Sequence, residues 1–236
     1  MVWLEGPHLC QAWLQNDRPV HWLIIDEASF CDPEIRAICK NVEDDRWVIL
    51  ARGLFEQLSE VKSHQGVILI VDMPVRRLPD SFVDNVVVLD GVQDPGNVGT
   101  ILRICAAAGV STVIASAGTA ACWSPKVLRS AQGAHSGLEI HEVGDISGWL
   151  AQYRKQSPRL PVIATTLEQS TALYQTHLPR HAIWVFGHEG QGVSAGLLAL
   201  ADQRLRIDHD VRYVESLNVA TAAALCLFEQ RRQHAG

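Results

Sequence analysis

The stretch "LDGVQDPGNVGTILRICAAAGV", residues 89–110, holds the end of an apolar strand, a turn on Pro95, Gly96 and Asn97, and the start of a helix. Asn97 reads as the N-cap, because its side-chain oxygen can accept from the free N–H groups of a first helical turn. Val98, Ile101, Leu102 and Cys105 then recur at helical spacing and predict a buried stripe. Arg103 lies off that stripe. Helical side chains lean toward the N-terminus, and six residues are about 9 Å of rise, so Arg103 can reach back to the turn that carries Asn97. Two readings stay open: a surface arginine paired with Asp94 or water, or a cation serving an anion at the end of the strand.

Outward from this stretch the pattern repeats. The runs "VVVLD", "STVIA", "LEIHEV", "PVIATT", "AIWVFG" and "LRI" are short and apolar. Helical stretches separate several of them, near "SPKVLRSAQGA" and "ISGWLAQYRKQ", and a last helix runs from Ser216 to about Gln230. Short apolar strands alternating with helices predict a mostly parallel sheet covered on both faces. Residues 6–72 alternate in the same way, starting with a helix at "GPHLCQAWLQN", and predict a small α/β layer structure. The Pro- and Arg-bearing "MPVRRLPDS" breaks the alternation. The expected organisation is a small α/β domain over residues 1–75, a linker over 76–81 and a second domain over 82–236.

Composition narrows the function classes. With 236 residues and 47% hydrophobic content, the chain can bury one large core or two modest ones. Its six cysteines are scattered without a CxxC pair, so neither a zinc site nor a disulfide framework is indicated, and a reducing cytoplasm fits. No run reaches the length of a membrane span and the first residues lack a signal peptide, so a soluble protein is expected. A net charge of −6 argues against binding nucleic acid through overall charge. Local pairs remain as candidate RNA contacts: Arg76 and Arg77, Lys126 and Arg129, and Arg231 and Arg232.

Two further segments follow strands. In "WVFGHEGQGVS", residues 184–194, Gly187, Gly190 and Gly192 either make a tight turn or let backbone approach a ligand. The order is not GxGxxG, which disfavours a dinucleotide-binding oxidoreductase. Glu189 is either a loop-fixing acceptor of N–H groups or a site carboxylate. In "IDHDVRYVESLNVATAAALCLFEQ", residues 207–230, Ser216 and Asn218 precede Ala220, Thr221, Ala222, Ala223 and Ala224. That small surface suits close packing against another backbone, or only reflects alanine's helix propensity.

The segments "DPGNVGTILRICAAAG", "VFGHEGQGVS" and "ESLNVATAAALCLFE", in this order, resemble the three motifs of the SpoU (TrmH-like) branch of the SPOUT RNA methyltransferases. "SPKVLRSAQGAHSGLEI" resembles a fourth segment of that family, and "EGPHLCQAWL" and "HQGVI" more loosely resemble a small RNA-binding module that several members carry. The resemblance implies a SPOUT-type α/β fold with a C-terminal trefoil knot, preceded by a small α/β RNA-binding domain. It implies S-adenosylmethionine as methyl donor, a ribose 2′-hydroxyl of RNA as acceptor, no metal, and a homodimer.

By the same resemblance Asn97, Arg103, Glu189, Ser216 and Asn218 match the family's catalytic positions. Gly187, His188, Gly190, Gly192, Ile207, Ser216 and Leu217 match its cofactor loops. Guanidinium loses its proton only above about pH 12, so the role that suits Arg103 is to hold a phosphate and stabilise a developing alkoxide, not to act as base. The proton then leaves through phosphate, Ser216 or water. The sequence departs from the family where a proline is usual, at Asp208, in a stretch "DHDVRYV" about one residue longer, and at Ala220, where many members have serine. Asp208 and Asp210 are expected to face the positive sulfonium. Ribosomal RNA is the leading substrate; transfer RNA, or RNA binding without methyl transfer, are the alternatives.

Overall fold

The computed structural model describes residues 1–16, 18–61, 63–74, 77–156 and 159–235. The front part runs β1 (Val2–Glu5), α1 (Pro7–Leu14), β2 (Trp22–Asp26), α2 (Pro33–Cys39), β3 (Trp47–Leu50), α3 (Arg52–Leu58) and β4 (Val67–Val71). Its sheet has the order β1-β4-β2-β3, with β4 antiparallel to both neighbours and β2 parallel to β3. On one face α1 and α2 bury Leu9, Trp13, Ile35 and Ile38 against Leu4, Leu23 and Leu69. On the other, Phe55 of α3 covers Ile24 and Ile68. The sequence pattern missed β1, whose four residues are too few to show a period.

The second part runs β5 (Val86–Asp90), α4 (Pro95–Ala108), β6 (Thr112–Ser116), α5 (Pro125–Ala131), β7 (Glu139–Val143), α6 (Ile146–Tyr153), β8 (Val162–Thr165), β9 (Thr171–Ala172), β10 (Ile183–Gly187), α7 (Ala195–Leu200), β11 (Gln203–Arg206) and α8 (Val219–His234). The sheet order is β7-β6-β5-β10-β8-β11-β9, and each pairing is parallel, as the apolar runs predict. Alternate residues of β5 go to opposite faces. Val87 and Leu89 pack with α4, α5 and α8, while Val86 and Val88 pack with α6 and α7.

Two helix starts differ from the sequence reading. Asp94, not Asn97, caps α4: its Oδ1 accepts from the N–H of Asn97 at 2.8 Å, and Pro95 opens the first turn. The last helix starts at Val219 rather than Ser216, with Asn218 Oδ1 accepting from the N–H groups of Ala220 and Thr221. The small residues of α8 are also used internally. Ala220 and Ala223 are buried in the core that α8 shares with α4.

The two parts meet along α5 and the turn after it. Leu128 enters the front core, Trp13 meets Trp123 edge-on at 6.3 Å, and Arg18 donates to the carbonyl of Ser136 at 2.8 Å.

Candidate active site

Strands β5 and β10 lie side by side in parallel, so both end at the same edge of the sheet, with Asp90 opposite Gly187. The loops that follow are tied there. Asp90 Oδ2 accepts from the N–H of Ser194 at 2.7 Å, pinning the second loop to the first strand. Gly187 permits a crossing of main chain on main chain: a Cβ there would stand 2.2 Å from the carbonyl carbon of Gly192 and the nitrogen of Val193. His188 and Gly192 exchange two backbone hydrogen bonds, of 3.1 and 2.8 Å. His188 Nδ1 accepts from the N–H groups of Gly190 and Gln191, which closes the loop over its own side chain.

Glu189, at the tip, joins this loop to the start of α4. Its carboxylate accepts from Asn97 Nδ2 at 2.9 Å and from the N–H groups of Gln93 and Asp94, each at 3.2 Å. Asn97 Oδ1 in turn accepts from Asn218 Nδ2 at 2.9 Å. The amide orientations follow from this chain. A carboxylate only accepts, so Asn97 must turn its NH2 to Glu189, which leaves its oxygen for Asn218 and the oxygen of Asn218 to cap α8. Partial burial disfavours the charged form of Glu189, but the hydrogen bonds from Asn97 and the nearby N–H groups outweigh it and hold the carboxyl below its usual range.

Three sequence-predicted residues, Asn97, Glu189 and Asn218, are thus brought into one network. Arg103 is exposed on α4 and makes no hydrogen bond or ion pair with a described residue; Asp94 is occupied by the α4 cap, so that pairing does not form. Ser216 and Leu217 stand just before Asn218, and neither makes a hydrogen bond to a described residue. Ile207 packs against the core below them. Asp208 and Asp210 are not free to face a ligand as isolated charges: Arg206 holds the first at 2.8 Å and Arg212 grips the second in a fork. Arg212 also keeps the carboxyl of Asp210 below its usual range.

Of the expected RNA contacts, Arg76 lies outside the described residues. Arg77 is exposed, with Asp80 at 4.0 Å, and Lys126 is exposed on α5. Arg129 is half-buried against Trp3, Glu5 and Glu60 of the front part. Asp94, Gln93 and Asp90 also build the site; sequence reading offered Asp94 only as a surface partner of Arg103 and did not name the other two. Asp94 directly before Pro95 carries a recognisable cap signal. The other two act through a backbone N–H and a strand-end carboxylate, which have no signature. Among the described residues no group of three or more His, Cys, Asp or Glu could hold a metal ion, and no helix is long and apolar enough to cross a membrane.

Comparison with known proteins bears on both parts. Residues 84–228 match the SpoU rRNA Methylase family, and residues 3–76 match the family described as RNA 2′-O ribose methyltransferase substrate binding. An uncharacterized tRNA/rRNA methyltransferase of Synechocystis sp. is 40% identical over 146 residues, which are 62% of this chain and about half, 52%, of that relative. The 23S rRNA (guanosine-2′-O-)-methyltransferase RlmB of Bordetella pertussis is 32% identical over 99% of this chain and 98% of its own length. The structure of a putative RNA methyltransferase of the TrmH family from Porphyromonas gingivalis superposes with a TM-score of 0.85 at 33% identity, covering 98% of this chain and 90% of that one.

Proposed function

The chain belongs to the SpoU rRNA Methylase family, and we propose that it transfers a methyl group from S-adenosylmethionine to a ribose 2′-hydroxyl of ribosomal RNA. The observation that carries this reading is the Glu189–Asn97–Asn218 network, which gathers three distant segments at one edge of the parallel sheet.

The residues present suit such a donor. The 187–192 loop is glycine-rich and doubles back on itself, and Ser216 and Leu217, beside the apolar Ile207, have polar groups that no described residue engages. Gly187, His188, Gly190, Gly192, Ile207, Ser216 and Leu217 would hold the donor mainly through main chain and apolar contact. S-adenosylmethionine supplies a methyl on positively charged sulfur, already activated for transfer. The protein's own task is alignment of the acceptor oxygen and removal of a weakly acidic proton. Arg103, exposed two turns along α4 from the network and without a partner among the described residues, grips a backbone phosphate and stabilises negative charge growing on the 2′-oxygen. The phosphate or a water accepts the proton, directly or through Ser216, whose hydroxyl passes on its own proton as it takes one. Glu189 holds the loop and the start of α4 in register, with Asn97 and Asn218 as the link.

Residues 1–75 form the RNA-binding part and 76–81 the connection to the catalytic part, a division supported by the separate sheets and the two family ranges. The C-terminal part is threaded as a trefoil knot and pairs with a second copy through the outer side of α8, where Thr221 and Phe228 are exposed. The deciding experiment is to incubate the purified chain with radiolabelled S-adenosylmethionine and unmodified 23S rRNA, then digest to nucleosides. Label on a 2′-O-methylnucleoside is expected; label absent, or on a base, overturns the reading.

A further inference from the structure

The open face of the front sheet carries a row of side chains that the site above does not use. In the register of β1, β4 and β2, Trp3 stands opposite Ile70 and Ile70 opposite Trp22, so the three lie abreast on one face across three strands. α3 covers the adjoining row of Ile24 and Ile68, and half-buried Ile70 packs at the border of that cluster, so what stays open on this row is the two tryptophans on either side of it. Trp3 is 39% exposed and Trp22 45%. Two tryptophans on the surface, about 10 Å apart at two strand spacings, form a flat apolar strip that the fold itself has no need to expose.

Both ends of the strip meet cations. Trp3 shares a small recess with Pro125, Leu128 and Arg129 of α5, and Lys126 beside them is exposed. α5 touches the candidate active site directly, since Ser130 Oγ donates to the carbonyl of Gly96 at 2.9 Å, one residue before Asn97. At the other end Arg46 stands one position before Trp47, the partner of Leu23, and so beside Trp22; it donates to the carbonyl of Val20 at 2.6 Å and pairs through Nε with Glu43 at 3.1 Å, an exposed pair in which Nη2 has no partner among the described residues. Two acids, Glu5 and Glu60, line the same recess, of which Glu5 is engaged by Ser59 and by the N–H of Glu60, so the cation that stands clear of them on α5 is Lys126. A track of cation, aromatic and cation therefore leads from the Asn97 network across the front sheet.

We propose that Trp3, Ile70 and Trp22 are a stacking surface for unpaired nucleobases of the RNA substrate, with Arg129 and Lys126 at one end and Arg46 at the other taking backbone phosphates. This rests on the reading of the chain as an RNA methyltransferase. Aromatic faces accept any base by stacking, and paired bases in a duplex do not offer their faces, so the strip selects single-stranded RNA. In a chain of net charge −6, such binding needs its cations placed locally, as they are here.

The test uses the full chain, the variants Trp3→Ala, Trp22→Ala and Trp22→Phe, and two 5′-labelled probes: a 12-nucleotide uridine RNA and a 12-base-pair RNA duplex. Fluorescence anisotropy is expected to show at least about tenfold weaker binding of the single strand for each alanine variant, within the range for loss of one stacked base. Trp22→Phe retains most of the affinity, and the duplex binds weakly to all forms. Circular dichroism confirms that the variants fold. Single-strand affinity unchanged in both alanine variants overturns the proposal, as does a dimer that dissociates when either tryptophan is replaced, which would make the strip a contact between copies. Methyl transfer is assayed on the same preparations. Transfer by the wild type together with unaltered binding by the variants sinks the strip alone. Stacking without transfer sinks the catalytic reading alone.

Discussion

Glu189 accepts a hydrogen bond of 2.9 Å from Asn97, a residue 92 positions earlier in the chain, and the same carboxylate holds two N–H groups at the entry to α4. One side chain thus fixes the loop after β10 against the loop after β5. The network has a direction, from carboxylate to amide to amide to the N-terminus of α8, and it works only with an ionised acceptor at its head.

Glu189→Gln places an amide where three donors converge, and only one of its two polar atoms can accept. For this exposed group the loss in stability is about 1 kcal/mol, and methyl transfer falls far more because both loops lose register. The pH dependence carries a sign. The folded carboxyl titrates below its ordinary 4.5, so its contribution is present above pH 4.5 and is lost as pH falls through the lower, folded value. Chemical denaturation of wild type and variant across pH 3–6 should show a stability difference that closes at the acid end. A difference independent of pH would remove the carboxylate from this role.

Gly187→Ala puts a methyl 2.2 Å from main chain that cannot move aside without opening the His188–Gly192 pair. Gly192 is different: its φ of 70° resists a side chain, but a Cβ there meets nothing. Thermal unfolding is expected to show a loss of several kcal/mol for Gly187→Ala and about 1 kcal/mol for Gly192→Ala. Equal losses would mean that the crossing is not tight.

Ala223 lies in the core that α8 shares with α4, so a leucine there destabilises each protomer, by about 1–3 kcal/mol, whatever the oligomeric state. Phe228 is 45% exposed on the outer side of α8. Phe228→Asp should leave the melting temperature of the monomer nearly unchanged and weaken self-association in sedimentation velocity. A sedimentation profile identical to wild type would free this face from the dimer contact.

The sequence pattern carried the parallel sheet of the second part because buried strands such as "VVVLD" and "AIWVFG" are apolar throughout and separated by helices. It carried the meeting of Asn97, Glu189 and Asn218 only through the resemblance, since contacts across 92 and 121 residues leave no local trace. The misplaced start of α4 has a physical cause. Asp94 and Asn97 are both competent caps, and the choice between them decides whether the Asn97 side chain serves its own helix or is free to bridge two loops. Strand direction in the front sheet was illegible because β1 and β3 have four residues each, and polarity leaves no mark on composition. Arg129, which reads from sequence as a candidate RNA contact, is drawn toward the front part by the packing of Leu128 beside it.

Arg103→Ala is expected to lower single-turnover methyl transfer on the order of a hundredfold while leaving donor affinity nearly intact, because the loops fitted to the donor lie after β10 and β11 and not on α4. Arg103→Lys should recover little, since an ammonium lacks the planar fork that engages two phosphate oxygens. Rate and donor affinity are measured on the same preparations. A wild-type rate in the alanine variant would return Arg103 to the surface.

His135 gives the last prediction. It is buried between the two parts, 4.8 Å from Trp123, which in turn meets Trp13 of the front core. Its Nε2 lies 2.7 Å from the carbonyl oxygen of Cys122 and therefore donates, while Nδ1 is buried without a partner among the described residues. A second proton would have to sit on Nδ1, with nothing to accept from it. Burial accordingly pushes the imidazole down, only partly offset by the Cys122 carbonyl, to about 4 from 6.5. The unfolded chain then binds a proton that the folded one refuses. Stability is full above pH 6.5 and declines as pH falls toward 4, by on the order of 3 kcal/mol in total, a window above that of Glu189. His135→Gln, which can still donate to Cys122, is expected to flatten the curve between pH 6.5 and 4. Near-ultraviolet circular dichroism, which senses the environments of Trp13 and Trp123, should report the joint loosening in the wild type over that same interval. An unchanged acid slope in the glutamine variant would locate the sensitivity at another buried group.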